Sequence, residues 1–136
     1  MADNRVPINY HTPSFPSLYD PLPLHRKEAS YLYYTSDIWR FTLYWTLLFY
    51  GVTHLTVAGC AVFTHRRNWS VIWLVPLLYI VVAGLEGLLA GSIIGLVLGA
   101  VYEAGNFRMS TWQPMIWGGI NVMVLILTSF PMQGGL

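Results

Sequence analysis

The stretch Gly87-Leu88-Leu89-Ala90-Gly91-Ser92-Ile93-Ile94-Gly95-Leu96-Val97-Leu98-Gly99 puts a glycine at every fourth position of an apolar run. In a water-soluble helix each glycine costs about 1 kcal/mol relative to alanine, so four in step need a compensating gain. In a bilayer, small residues four apart let a second helix approach to backbone contact. The stretch therefore predicts a membrane protein whose helices pack through Gly87, Gly91, Gly95 and Gly99. Such a stripe either packs the helices of one monomer together or drives self-association.

Working outward, the glycines sit inside a longer apolar segment, Val71 to Tyr102. As one helix it would measure roughly 48 Å at 1.5 Å per residue, whereas a membrane span needs only about 20 residues. Two spans of about 15 residues each would be too short. A long helix kinked around Pro76 or Gly84 is the favoured reading, and a re-entrant hairpin turning at Gly84 to Gly87 is the alternative.

Two further spans flank it. The first runs from Ile38 or Phe41 to Phe63, after the capping residues Ser36 and Asp37. Trp39, Tyr44 and Trp45 lie near its start, where aromatics favour the interface. The last runs from Trp112 or Pro114 to Phe130, with proline suited to a first helical turn. The fold class is therefore an all-α membrane protein with three transmembrane helices, spanning about 38–63, 71–102 and 112–130. Residues 36–136 form this domain, and the termini fall on opposite sides of the membrane.

Residues 1–35 read as a Pro/Tyr-rich tail. Pro7, Pro13, Pro16, Pro21 and Pro23 forbid a regular helix, so the tail is disordered or extended. Leu24 to Tyr34 is either an amphipathic interfacial segment or an unstructured linker. No apolar leader precedes the first span, which must itself target the chain.

Composition agrees. Of 136 residues, 55% are hydrophobic and 10% charged, where soluble domains carry about 25% charged residues, and mean hydropathy is +0.51. A net charge of +1 gives no sign of nucleic-acid binding. The single cysteine, Cys60, excludes an internal disulfide and reads as a small packing residue. No phosphate loop, dinucleotide motif or nucleophile–base–orienter set is present, so neither enzyme activity nor a cofactor is expected. For orientation, Arg26, Lys27, Arg40 and Arg108 outnumber Arg66 and Arg67 of the His65–Asn68 loop, which by count alone puts the tail in the cytoplasm.

The polar candidates lie within the spans. Glu86 sits near the centre of Val71–Tyr102, where a charge costs at least about 2.5 kcal/mol. It is a structural polar contact, an acid freed at a helix break, or part of a transport or proton path. At 100° per residue it points roughly 160° away from the middle of the glycine stripe. His54 lies mid-span and would offset part of the cost if it faced Glu86. His54 shares a face with Gly51, Leu55, Ala58 and Val62, and the small residues Gly51 and Ala58 make that face a candidate dock for the stripe. Ser92 and Asn121 are further intramembrane polar residues, and Asn121 with Gly118-Gly119 offers a second close contact. One buried histidine and one glutamate fall short of a metal shell, so no metal is expected.

These residues carry a resemblance. Trp39, Trp45, His54, Ala58-Gly59, Phe63-Thr64 and the basic loop His65-Arg66-Arg67, with Gly99-Ala100-Val101-Tyr102-Glu103-Ala104-Gly105, resemble the transmembrane protein 170 family over roughly residues 36 to 130. The resemblance implies a small three-span protein of the endoplasmic reticulum and nuclear envelope, associated with membrane shape, sheet formation and nuclear-envelope organisation. It also implies a lumenal tail and a cytoplasmic His65 loop, against the charge count. Glu86, Glu103 and the Asn68-Trp69-Ser70 sequon depart from the family's pattern and suggest a distant, fungal-type member.

Three functions then compete. The first is a membrane-organising protein acting through helix packing, the lipid bilayer and partner proteins. The second is a lipid scramblase or an acceptor for a bridge-like lipid transfer protein, with His54, Glu86, Ser92 and Asn121 as a polar track. The third is an accessory subunit without activity of its own. The discriminating feature is whether those polar residues line one groove open to lipid or close on each other.

Overall fold

The computed structural model describes residues 6–19, 30–64 and 72–130. Three helices dominate: α1 (Thr35–Thr64), α2 (Leu74–Ala104) and α3 (Trp112–Ser129). A two-residue strand β1 (Tyr31–Leu32) pairs antiparallel with β2 (Met109–Ser110), with Tyr31 opposite Ser110 and Leu32 opposite Met109. The basic loop, its sequon and residues 24–29 of the tyrosine-bearing segment lie outside the described residues.

Among the described residues, α1 and α2 are long and apolar enough to cross a membrane. At 30 and 31 residues they extend to about 45 Å. The outward face of α2 is apolar along most of its length: Leu77, Val81, Leu85, Leu89, Ile93 and Val97 are all at least half exposed. A helix that is apolar on every side is stable when its outer face meets hydrocarbon. α3, with 18 residues, is shorter, about 27 Å.

The second apolar segment is helical without interruption from Leu74 to Ala104, so neither a re-entrant hairpin nor a helix break at Gly84 is formed. Pro76 falls in the first turn, where its missing N–H has no helical partner to lose. Helix α1 starts one turn earlier than its capping pattern predicts. The Tyr34 carbonyl oxygen accepts from the N–H groups of Asp37 and Ile38, both at 3.0 Å, and the acidic Asp37 suits the positive end of the helix dipole.

Helix α1 is the spine. It packs along α2 and along α3, while α2 and α3 barely touch. The α1–α2 pair is antiparallel and advances four residues at a time. Added Cβ atoms on Gly87, Gly91, Gly95 and Gly99 would stand 2.6–3.0 Å from atoms of Leu47, Leu43, Trp39 and Thr35 respectively. Helix α3 meets α1 in the same manner, with Gly118 against the Trp45–Thr46 backbone.

The best-packed region is one end of the bundle. Leu32, Ile38, Phe41, Leu98 and Met109 form a buried cluster, with Ile94, Tyr102 and Trp117 packed on it. These residues come from the starts of α1 and α3, the end of α2 and both strands, so the strand pair closes this end. Residues 6–19 follow an irregular path over the closed end, as their proline density requires. Phe15 inserts among Phe41, Tyr44 and Trp45, with ring centroids 5.2–5.5 Å apart. Tyr10 donates to the Tyr31 carbonyl oxygen at 3.0 Å, and Thr12 to Asp37 Oδ2 at 2.9 Å. Thr111 donates to the Ser17 carbonyl at 2.9 Å, and the Trp112 indole to the Tyr19 carbonyl at 2.8 Å.

Candidate functional site

The opposite end of the bundle is open. Because α2 and α3 both rest on α1 and hardly on each other, the C-terminal halves of α1 and α3 leave a groove beside the N-terminal half of α2. This groove encloses about 670 Å³. Its walls are Val52, Val57, Leu125, Ile126 and Phe130, with Thr53, Thr56, Tyr79 and Ser129 adding hydroxyls and His54 and Glu86 providing the ionisable groups.

His54 and Glu86 meet there. His54 Nε2 stands 3.4 Å from Glu86 Oε2, and the two side chains are 13% and 44% exposed. Helix geometry explains the encounter. The antiparallel four-residue register sets Gly87 by Leu47, so Glu86, next to Gly87, and His54, two turns beyond Leu47, lie on neighbouring levels of the helix pair. In each helix the Cα–Cβ bonds tilt towards the N-terminus, so Glu86 leans towards Ala83 and His54 towards Gly51. The two side chains converge on one level.

The angle of roughly 160° between Glu86 and the stripe is an average over Gly87 to Gly99 and misleads at this end. Residues four apart rotate by about 40° per step on a helix. By Gly87 the face touching α1 has swung towards Glu86.

The hydrogen bonding of the pair is incomplete. His54 Nδ1 lies 2.9 Å from the Tyr50 carbonyl oxygen. A carbonyl oxygen only accepts, so Nδ1 carries the proton. A neutral His54 therefore turns a lone pair towards Glu86. Among the described residues Glu86 Oε2 has no hydrogen-bond partner, although it is itself buried. The Tyr79 ring lies edge-on to the imidazole at 6.2 Å between centroids.

Asn121 belongs to a different place. Its Nδ2 donates to Thr46 Oγ1 at 3.1 Å, and its backbone carbonyl oxygen accepts from the Tyr50 hydroxyl at 3.3 Å. Both contacts are buried between α1 and α3. The threonine hydroxyl meanwhile donates to the Thr42 carbonyl four residues back, at 2.8 Å, so both of its roles are used. Ser92 is half-buried on α2 and does not line the groove. The four polar residues therefore do not form one track. His54 and Glu86 lie in an open groove, Asn121 is sealed, and Ser92 stands apart.

The expected docking of the stripe on the Gly51–Ala58 face is not what forms. The stripe meets Thr35, Trp39, Leu43 and Leu47, on the first half of α1. A Cβ on Gly51 would meet nothing within 4 Å. Ala58 is buried but borders a second, apolar groove of about 540 Å³, with Gly59 and Pro76. Antiparallel pairing accounts for this: the C-terminal end of α2, where the stripe finishes, must lie beside the start of α1. Cys60, expected as a packing residue, is exposed on α1. Among the described residues no three His, Cys, Asp or Glu side chains converge on a metal-sized site.

Sequence reasoning did not reach the polar cap at the closed end. Besides the tail contacts, Thr35 donates to Glu103 across the α1–α2 junction. Gln113 Oε1 accepts from the Tyr102 hydroxyl at 3.1 Å and from the Ser110 N–H at 3.2 Å. The Arg108 guanidinium lies 4.3 Å over the Tyr31 ring, a cation–π contact. With the tail contacts, the cap joins residues up to 94 positions apart, which no local pattern announces.

Residues 31–136 match the family described as transmembrane protein 170A/B-like. The chain is also similar to the protein of Saccharomyces cerevisiae whose name reads "Uncharacterized protein YPR153W", at 38% identity over 134 residues, covering 98% of this chain and 95% of that one. No solved structure matches.

Proposed function

Because the chain belongs to the transmembrane protein 170A/B-like family, we propose that it is a three-span protein of the endoplasmic reticulum and nuclear envelope. In this reading it organises membrane through its shape and its partners. The carrying observation is the asymmetry of the bundle. One end is locked by a buried cluster, a strand pair and the docked tail. The other end leaves two grooves between its helices. A rigid body whose two ends are filled differently displaces unequal amounts of lipid from the two leaflets, which biases the shape of the sheet it sits in. The glycine stripe supports rigidity, since it lets α1 and α2 approach to backbone contact from Gly87 to Gly99. With that face filled by α1, the stripe serves packing within the monomer. Helix α3 is the third span, its 18 residues sufficing for a thin membrane such as the endoplasmic reticulum.

The lipid-moving reading keeps one supporting observation, the exposure of Glu86 in a groove. Against it stands the separation of Ser92 and Asn121 from that groove. The test is lipid scrambling by the purified protein in liposomes, wild type beside Glu86→Gln. The membrane-organising reading expects both to match protein-free vesicles, while the vesicles change shape in proportion to protein density. Fast scrambling by wild type, lost in Glu86→Gln, would replace it with the lipid-moving reading.

A further inference from the structure

We infer that the His54–Glu86 groove is the docking site for a partner transmembrane helix carrying a basic residue near its midpoint. The inference rests on the membrane-spanning reading and adds the chemistry of the partner.

Three observations lead there. The first is shape. The groove lies between α2 and α3, which barely touch, and is floored by α1. It therefore runs along the helix axes, the form that accepts a further helix. Its walls are the apolar side chains Val52, Val57, Leu125 and Ile126, matching the apolar face of such a helix.

The second is charge. Among the described residues Glu86 is the acid that lines this groove, and no lysine or arginine lines it. A carboxylate at this depth is costly unless paired. The neighbouring imidazole does not meet the need while it is neutral. Its Nδ1 proton is committed to the Tyr50 carbonyl, and its Nε2 lone pair faces the acid. Glu86 Oε2 is left without a hydrogen bond and the side chain is 44% exposed. A lysine or arginine arriving on another helix supplies the missing charge at the exposed part of the Glu86 side chain.

The third argues against a second copy of this chain as occupant. A symmetric dimer places the same groove on both sides of the interface. It would bring two Glu86 carboxylates together, with no lysine or arginine among the described residues of either groove to separate them, and like charges across an interface are disfavoured.

The test uses the full chain in vesicles, labelled with a donor fluorophore, and acceptor-labelled synthetic helices of about 20 leucines with a central leucine, lysine or glutamate. Resistance to carbonate extraction is measured first; failure to insert would refute the membrane-spanning reading itself. In inserted protein the expected result is a preference for the lysine helix over the leucine helix of roughly three- to thirtyfold, the range of intramembrane polar contacts. The glutamate helix should bind no better than the leucine helix. Glu86→Gln, which keeps the shape of the side chain, should abolish the preference. Val52→Trp, which fills the groove from its exposed wall, should abolish it with Glu86 in place. Equal binding of lysine and leucine helices by inserted wild type would overturn the inference. So would a lysine preference that survives Glu86→Gln, or transfer between two labelled copies of the chain that Val52→Trp removes.

Discussion

Gly95 lies directly on the backbone of Trp39: a Cβ added to it would stand 3.0 Å from the Trp39 Cα and 3.1 Å from its carbonyl oxygen. Backbone atoms cannot swing aside as a side-chain tip can, so the helices must part to admit a larger residue. Gly95→Leu and Gly91→Leu should each destabilise the α1–α2 pair by about 1–3 kcal/mol, the usual cost of overpacking. Gly51→Leu is the control, because a Cβ at Gly51 meets open space. The check is unfolding in mixed detergent micelles, followed by circular dichroism. Wild-type midpoints for Gly91→Leu and Gly95→Leu would refute the tight interface.

Asn121 and Thr46 join α3 to α1 in a buried contact at 3.1 Å. Intramembrane hydrogen bonds average about 0.6 kcal/mol, with a maximum near 1.7. A double-mutant cycle of Asn121→Leu and Thr46→Val should return a coupling in that range. A coupling indistinguishable from zero would mean that Gly118 and apolar packing alone hold α3 in place.

Phe15 anchors the tail against Phe41, Tyr44 and Trp45. Aromatic pairs contribute about 0.5–1.5 kcal/mol each beyond area burial, so Phe15→Ala should release the tail while leaving the helices intact. Limited proteolysis of reconstituted protein should then cut within residues 6–19 several times faster than in wild type, with unchanged helix content. Equal cleavage rates would show that the hydrogen bonds of Tyr10, Thr12 and Thr111 suffice.

Tyr10 makes tail docking sensitive to alkali. Burial and, secondarily, the negative charge of Asp37 hold its phenol above the ordinary value of 10.0. A group whose pKa is raised in the docked state contributes fully below its free value and loses that contribution as pH rises through the docked value. The tyrosinate also cannot donate to the Tyr31 carbonyl. Tail protection should therefore be constant up to about pH 10 and fall above it. Tyr10→Phe should start less protected, by about 0.5–1.5 kcal/mol for the lost hydrogen bond, with a shallower alkaline fall. Parallel pH profiles for the two proteins would remove Tyr10 from the effect.

The local half of this fold was legible because its causes are local. Apolar length, interfacial aromatics and the polar breaks at His65–Asn68 and Glu103–Trp112 mark the helices to within a turn or so. A glycine every four residues tells which face of α2 is narrow. The period itself could not say which part of α1 fills that face, since Gly51 and Ala58 look as suitable as Thr35, Leu43 and Leu47. Chain direction decides it: antiparallel helices bring the end of α2 to the start of α1.

The candidate site divides the same way. Composition alone singles out Glu86 and His54, because ionisable groups are rare in such segments. Their convergence depends on a stripe that rotates along the helix and on side chains tilting towards each helix N-terminus. The separation of Asn121 and Ser92 depends on where α3 lies, for which no residue spacing stands. The polar cap was illegible for a further reason: two-residue strands carry no period, and a proline-rich tail reads as unstructured until residues ninety positions away offer it carbonyls and hydroxyls. The sequence by itself determined which segments are helical, apolar and narrow, since these follow from neighbours within a few turns. Which faces meet, which acid finds which base, and which end stays open were decided by tertiary structure, because those energies arise between atoms far apart in the chain.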